Sequence, residues 1–359
     1  MKTESADSVF FRPRVGYMII KDNIPLIMRV FAYLMVSGVF LYLINNYLVY
    51  WQDMPGSYAL FSHYGWLGLE VEPLAGEQVS RGWTQVVGYL LVLLGSVAYV
   101  ATTSSRTLIQ ESVRFSAISA YIIRFAFWSV TLVGAIDMLI SFLRVENLLE
   151  AVAGEWLTQQ LGRPIFRGTY VHYPLILVSL FIAAWLRHIS FTWLALMCVL
   201  SEFLIVITRF VFSYEQAYMG DVVRFWYAAL FLFASASTLA QEGHVRVDVL
   251  YAGFKRRRKA FFDSIGCIFL GMPICWVILM QGMGGRGNSI NGPLLSFEVS
   301  QSGYGMYVKY LMAGFLIIFS VTMLIQFVSF LLYNISQLLD RHADKDQPSY
   351  SQLVSENNA

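Results

Sequence analysis

Apolar residues in this chain gather into long runs parted by short polar stretches. A helix needs about 20 apolar residues to cross the hydrocarbon of a bilayer. Eight runs reach or approach that length: 28–50, 84–105, 117–143, 171–187, 189–212, 222–241, 262–283 and 307–334. The pattern predicts an all-α, polytopic membrane protein with about eight transmembrane helices. The fourth run is short and holds Pro174. Only Arg187 and His188 part it from the fifth, so these two are expected to form a tight hairpin. Gly271 and Pro273 predict a kink in the seventh.

Two polar stretches have their own periodicity. In 145–161, Val145, Leu148, Leu149, Val152, Trp156 and Leu157 recur at helical spacing, and Arg163-Pro164 then stops the helix. Val247, Leu250, Tyr251 and Phe254 form a similar stripe ahead of the basic run Lys255, Arg256, Arg257, Arg258 and Lys259. Both read as helices lying in the interface plane. The basic run suits anionic membrane lipids or simply anchors the topology.

Composition agrees with the pattern. The chain is 57% hydrophobic and 13% charged, against about 25% charged for a soluble protein. With the N-terminus inside, 16 loop Lys and Arg fall on the inner side and 5 on the outer. Cytoplasmic loops carry such an excess, so both termini are expected in the cytoplasm. The first run is too long for a signal-peptide core and no small-residue cleavage site precedes Trp51, so it reads as an uncleaved first span. The tail 341–359 is polar and is expected to be disordered.

The sequence offers little chemistry. A net charge of +2 gives no sign of nucleic acid. Cys198, Cys267 and Cys275 lie in apolar runs and read as packing residues. The five histidines lie in loops or at run ends, which argues against haem between helices. No Cys/His cluster has zinc spacing. The run Gly284–Asn288 lacks the lysine and hydroxyl of a phosphate loop and reads as a turn. No catalytic residue, cofactor site or metal site is expected.

Ionisable residues inside the runs are the exception. Glu202 sits near the middle of the fifth run, with Arg209 two turns later on the same face. Arg224 opens the sixth run and Asp137 lies in the third. A charge at the bilayer centre costs at least ~2.5 kcal/mol, so each should face protein, water or a counter-charge. Glu202 could pair with Arg209 or Arg224, or meet another subunit.

Arg209 followed by an aromatic, then Asp221, Arg224 and Trp226, then Glu242, Gly243, His244, Arg246 and Asp248 in "EGHVRVD", form an ordered series. The series resembles the small, Q-type membrane subunit of tripartite ATP-independent periplasmic (TRAP) transporters, over about 189–340. In that family an acidic stretch with a tryptophan precedes the second arginine, and a "G-H-I-x-V-D"-like signature closes the helix. Here Tyr218–Asp221 reads YMGD, without the tryptophan and first acid. The resemblance divides the chain into a four-span extension, 1–188, and a Q-type segment, 189–340. It implies a non-catalytic subunit, without cofactors, in a bacterial inner membrane. The implied partners are a large M-type permease, driven by a sodium gradient, and a periplasmic solute-binding protein. The "EGHVRVD" corner would turn the chain from spanning to lying flat and dock on the permease. A self-sufficient carrier or channel, and a structural subunit of some other complex, are the rival readings.

Overall fold

The computed structural model describes residues 14–187, 191–241, 251–300, 305–340 and 348–358. The "EGHVRVD" corner, with Glu242, Gly243, His244, Arg246 and Asp248, lies outside them, as do Val247 and Leu250. Among the described residues the fold is all-α, and eight helical stretches are long and apolar enough to cross a membrane. They comprise α1 (Arg14–Tyr50), α3 (Gly76–Thr102), α4 (Leu108–Val145), α7 with α8 (Pro164–Arg167, Tyr173–Trp185), α9 (Phe191–Phe212), α10 (Ala217–Ala240), α11 with α12 (Arg256–Gly266, Met272–Met283) and α14 (Lys309–Leu339). Short helices lie between or after them: α2 (Gly56–His63), α5 (Leu149–Ala153), α6 (Glu155–Leu161), α13 (Asn291–Ser296) and α15 (Tyr350–Asn358). The side on which α1 begins is called here the N-side, and the other the far side.

Several boundaries move, for identifiable reasons. The third span begins at Leu108, not 117, because Thr107 and Gln110 form a capping box that starts the helix early. The fourth begins at Pro164, because a π turn over Gly168–His172 accommodates Pro174 and keeps the helix continuous. A second π turn, Cys267–Gly271, precedes Pro273, so the seventh span runs from Arg256 to Met283 and takes most of the basic run into its first turn. The 145–161 stretch forms two short helices, because Gly154 breaks it at φ 79°.

α4 and α14 form the centre. They run antiparallel along a ladder of small polar side chains. Ser112 Oγ donates to the Ser329 carbonyl at 2.8 Å and Ser329 Oγ to the Ser112 carbonyl at 2.6 Å. Ser119 Oγ donates to the Thr322 carbonyl at 3.1 Å. Small residues let two helix backbones approach, and each hydroxyl finds a carbonyl in the absence of water. Gly134 serves the same end where α4 crosses α10, since a Cβ there would overlap the Trp226 indole.

Two apolar clusters surround this pair, and both cross the boundary at 188. One joins Ala32, Val36 and Val39 of α1 to Cys275, Leu279, Leu324 and Val328. The other joins Phe127, Val130 and Val133 of α4 to Phe225, Phe233 and Phe315. At the far side, Asn46 Nδ2 donates to the Met283 carbonyl at 2.7 Å and Tyr50 OH to the Gly284 carbonyl at 2.9 Å. They satisfy carbonyls that the end of α12 leaves free.

The tail departs from its expected disorder. α15 folds back on the N-side, with Tyr350 and Val354 one turn apart and buried. Tyr350 OH meets Ser329 Oγ at 2.8 Å and accepts from Gln326 Nε2. A short polar helix is held because its buried stripe brings a phenol to the polar side chains of Gln326 and Ser329 on α14.

Candidate functional site

The residues with most capacity for charge chemistry collect at the far side, where α4, α8, α10 and the entry to α14 meet. Asp137 of α4 is fully buried, as are Arg167 and His172. Asp137 Oδ1 accepts from Arg167 Nη1 at 3.0 Å and lies 3.0 Å from His172 Nε2. Its Oδ2 accepts the Tyr307 backbone N–H at 2.8 Å. His172 Nδ1 lies 2.9 Å from Tyr310 OH. A neutral imidazole with its proton on Nε2 satisfies both contacts, donating to Asp137 and accepting from Tyr310. Arg167 also donates from Nε to the Leu161 carbonyl at 2.9 Å, and its guanidinium lies 4.1 Å from the centre of the Tyr307 ring.

A second carboxylate completes the junction. Asp221 Oδ2, on α10, accepts the Met306 backbone N–H at 3.0 Å and Ser300 Oγ–H at 3.1 Å. Two acids on two helices thus hold the adjacent amides of Met306 and Tyr307, just before α14 begins. Negative charge is favoured there by the free amides and the dipole of the helix start. Asp221 Oδ1 also pairs with Arg224 Nη1 at 3.3 Å, though Arg224 is mostly exposed.

This arrangement can clamp helices. The Asp137, Arg167 and His172 side chains have no exposed surface. Asp137 was expected to face protein, water or a counter-charge, and it faces protein with Arg167 as its counter-charge. Its partners were missed: Arg167 read as a loop residue because the fourth span was started too late, and His172 as a run end with no partner assigned. Pro164 as a helix-opening residue was the signal available.

The remaining charges are placed differently. Arg209 Nε pairs with Glu215 at 3.3 Å, both exposed, and not with Glu202. Of the two alternatives for Glu202, the internal pair with Arg209 or Arg224 does not form among the described residues, where Arg209 pairs with Glu215 and Arg224 with Asp221. Glu202 faces outward from the middle of α9 and makes no ion pair or hydrogen bond among the described residues. Nearby, Tyr214 OH donates to Glu146, tying the α9–α10 turn to the end of α4. Burial and then this carboxylate hold the Tyr214 phenol above its ordinary range, so it stays a donor.

A second junction lies on the N-side. Arg29 Nη2 of α1 pairs with Glu111 of α4 at 2.9 Å, both buried, and donates to Thr103 Oγ1 at 2.7 Å. Tyr33 OH donates to the other Glu111 oxygen at 2.8 Å. In the basic run, Arg256 donates to Tyr333 OH at 3.1 Å and Lys259 lies 5.0 Å from the Tyr251 ring centre. Lys255, Arg257 and Arg258 are exposed. Cys198, Cys267 and Cys275 are buried free thiols, and no group of three His, Cys, Asp or Glu suited to a metal occurs among the described residues.

Residues 196–337 match the model of one protein family, described as the DctQ component of tripartite ATP-independent periplasmic transporters. The match covers most of α9 and the spans after it, with Arg209, Asp221 and Arg224 inside, and bears out the Q-type resemblance. The four spans before it lie outside the match. Comparison with curated proteins and with solved structures returned no match.

Proposed function

We propose that this chain is the small, non-catalytic permease subunit of a TRAP secondary transporter in a bacterial inner membrane. Solute would be moved by a large M-type permease under a sodium gradient and delivered by a periplasmic binding protein that docks transiently. The observation that carries this reading is the family match over 196–337. The excess of Lys and Arg on the N-side supports cytoplasmic termini.

The outward carboxylate of Glu202 supports a protein partner on α9. Left facing lipid, it costs at least ~2.5 kcal/mol; a donor from the permease would remove that cost. Asp137 and α4 support a bracing role for residues 1–188. The extension grips the entry to α14, and its α4 packs against both α10 and α14, so on this reading it stiffens the Q-type segment and adds no second transport path.

The test is reconstitution in liposomes under a sodium gradient with a cognate binding protein. Uptake is expected only when the large permease is added. Sodium-dependent uptake by this chain alone would overturn the proposal. In intact cells, a cysteine at the exposed Gly76 should react with an impermeant thiol reagent and one at Lys255 should not.

A further inference from the structure

The junctions leave unused a cavity of about 580 Å³ on the N-side, where α4, α8, α9 and α10 end near one another and α15 crosses in front. Arg124 of α4 and Arg187, just past α8, both line it. Arg124 is half-buried, and its Nε reaches only the Ala183 carbonyl, at 3.4 Å. Arg187 is exposed.

Neither arginine is paired with a carboxylate among the described residues, and no acid occurs among the described residues of the lining. Elsewhere in the chain Arg29, Arg167, Arg209, Arg224 and Arg286 each pair with an acid. Two like charges on one wall, with no counter-charge among the described residues, are stabilised by a bound anion. Guanidinium groups match phosphate oxygens in geometry.

The other walls say what kind of anion fits. Ser237, Gln241 and Gln326 offer further hydrogen bonds, while Ile123 and Phe191 give an apolar side. The volume lies within the range of small-molecule sites. The cavity opens at the same end of the helices as the basic run, where basic pockets between spans suit anionic headgroups. We propose that this cavity binds a phosphate-bearing anion, the headgroup of an anionic phospholipid, with α15 as its outer wall. The shared chemistry is phosphate, and a soluble phosphate is the other source.

The experiment uses the full-length protein purified in detergent. Thermal unfolding and native mass spectrometry would be followed during titration with phosphatidylglycerol, phosphatidylcholine or inorganic phosphate. Phosphatidylglycerol is expected to bind and raise the unfolding midpoint where phosphatidylcholine does not. Arg187→Gln, at an exposed position that tolerates the change, should weaken that binding about fivefold, and Arg124→Gln with it about fivefold again. The pair Lys255→Gln and Arg257→Gln, outside the cavity, should leave the shift in place. Displacement of the lipid by millimolar inorganic phosphate, with the same loss in Arg187→Gln, would keep the anion site and assign it to a soluble phosphate. Equal response to the two lipids, or an Arg187→Gln protein that binds phosphatidylglycerol as wild type does, would overturn the proposal.

Discussion

Glu111 and Asp137 lie on one helix, about 39 Å apart by the rise of α4, and each anchors a buried arginine. Their reach differs. Glu111 binds Arg29, Tyr33 and Arg114, all within the extension. Asp137 binds Arg167 and His172 of the extension and the Tyr307 amide of the matched segment, one residue from the amide held by Asp221. Similar chemistry therefore closes the extension on itself at one end and fastens it to the matched segment at the other. A buried ion pair by itself is weak evidence of net stability. What separates the two junctions is the burial of the other groups that depend on each acid: Tyr33 and Arg114 are partly exposed, whereas His172 and the Tyr307 amide are buried.

Substitutions should expose that difference. Asp137→Ala has the largest expected effect, leaving Arg167 buried without a counter-charge at a cost of about 3–5 kcal/mol. The measurable result is a sharp loss of folded protein in the membrane, with mature chain reaching normal abundance as the contrary outcome. Joint replacement should separate the ends further. Arg29→Met with Glu111→Met is expected to be near neutral, because removing both charges of a buried pair is often tolerated. Arg167→Met with Asp137→Leu should still cost about 1–3 kcal/mol, because His172 and the Tyr307 amide lose their acceptor. Equal unfolding midpoints for the two double variants would erase the distinction.

Smaller changes test the packing between the junctions. Gly134→Val would press on Trp226 and should cost about 1–3 kcal/mol by overpacking. Tyr350→Phe removes the hydroxyl that joins α15 to Gln326 and Ser329 and should cost about 1 kcal/mol. Faster proteolysis of the tail would report it. Arg209→Ala closes the series. Its pair with Glu215 is exposed, and such pairs contribute about 0–1 kcal/mol. An unchanged unfolding midpoint is expected, and a loss larger than that of Tyr350→Phe would show that Arg209 is held more firmly than the geometry gives it.

Much of the architecture could be read from the residues in order. Eight apolar runs predicted eight spans, because lipid as solvent forces a helix of about 20 residues wherever the chain crosses. Asp137 and Glu202 stood out for the same reason, since a charge in such a run always needs an explanation. The Q-type series at Arg209, Asp221 and Arg224 was legible because order and spacing survive in a linear reading. Their partners were not. Glu202 and Arg209 share a helical face, yet Arg209 turns to Glu215, which lies past the helix end where spacing rules do not apply. Asp137 finds Arg167 and His172, 30 and 35 residues away, because the fourth span starts at Pro164 and so holds Arg167 as well as His172. The buried tail helix depended on Gln326 and Ser329 facing an opening that α15 could fill. Local periodicity and solvent determine where a helix forms and how long it must be. Which buried charge meets which, and which polar stripe finds a slot, is decided by how helices far apart in the chain come to lie side by side.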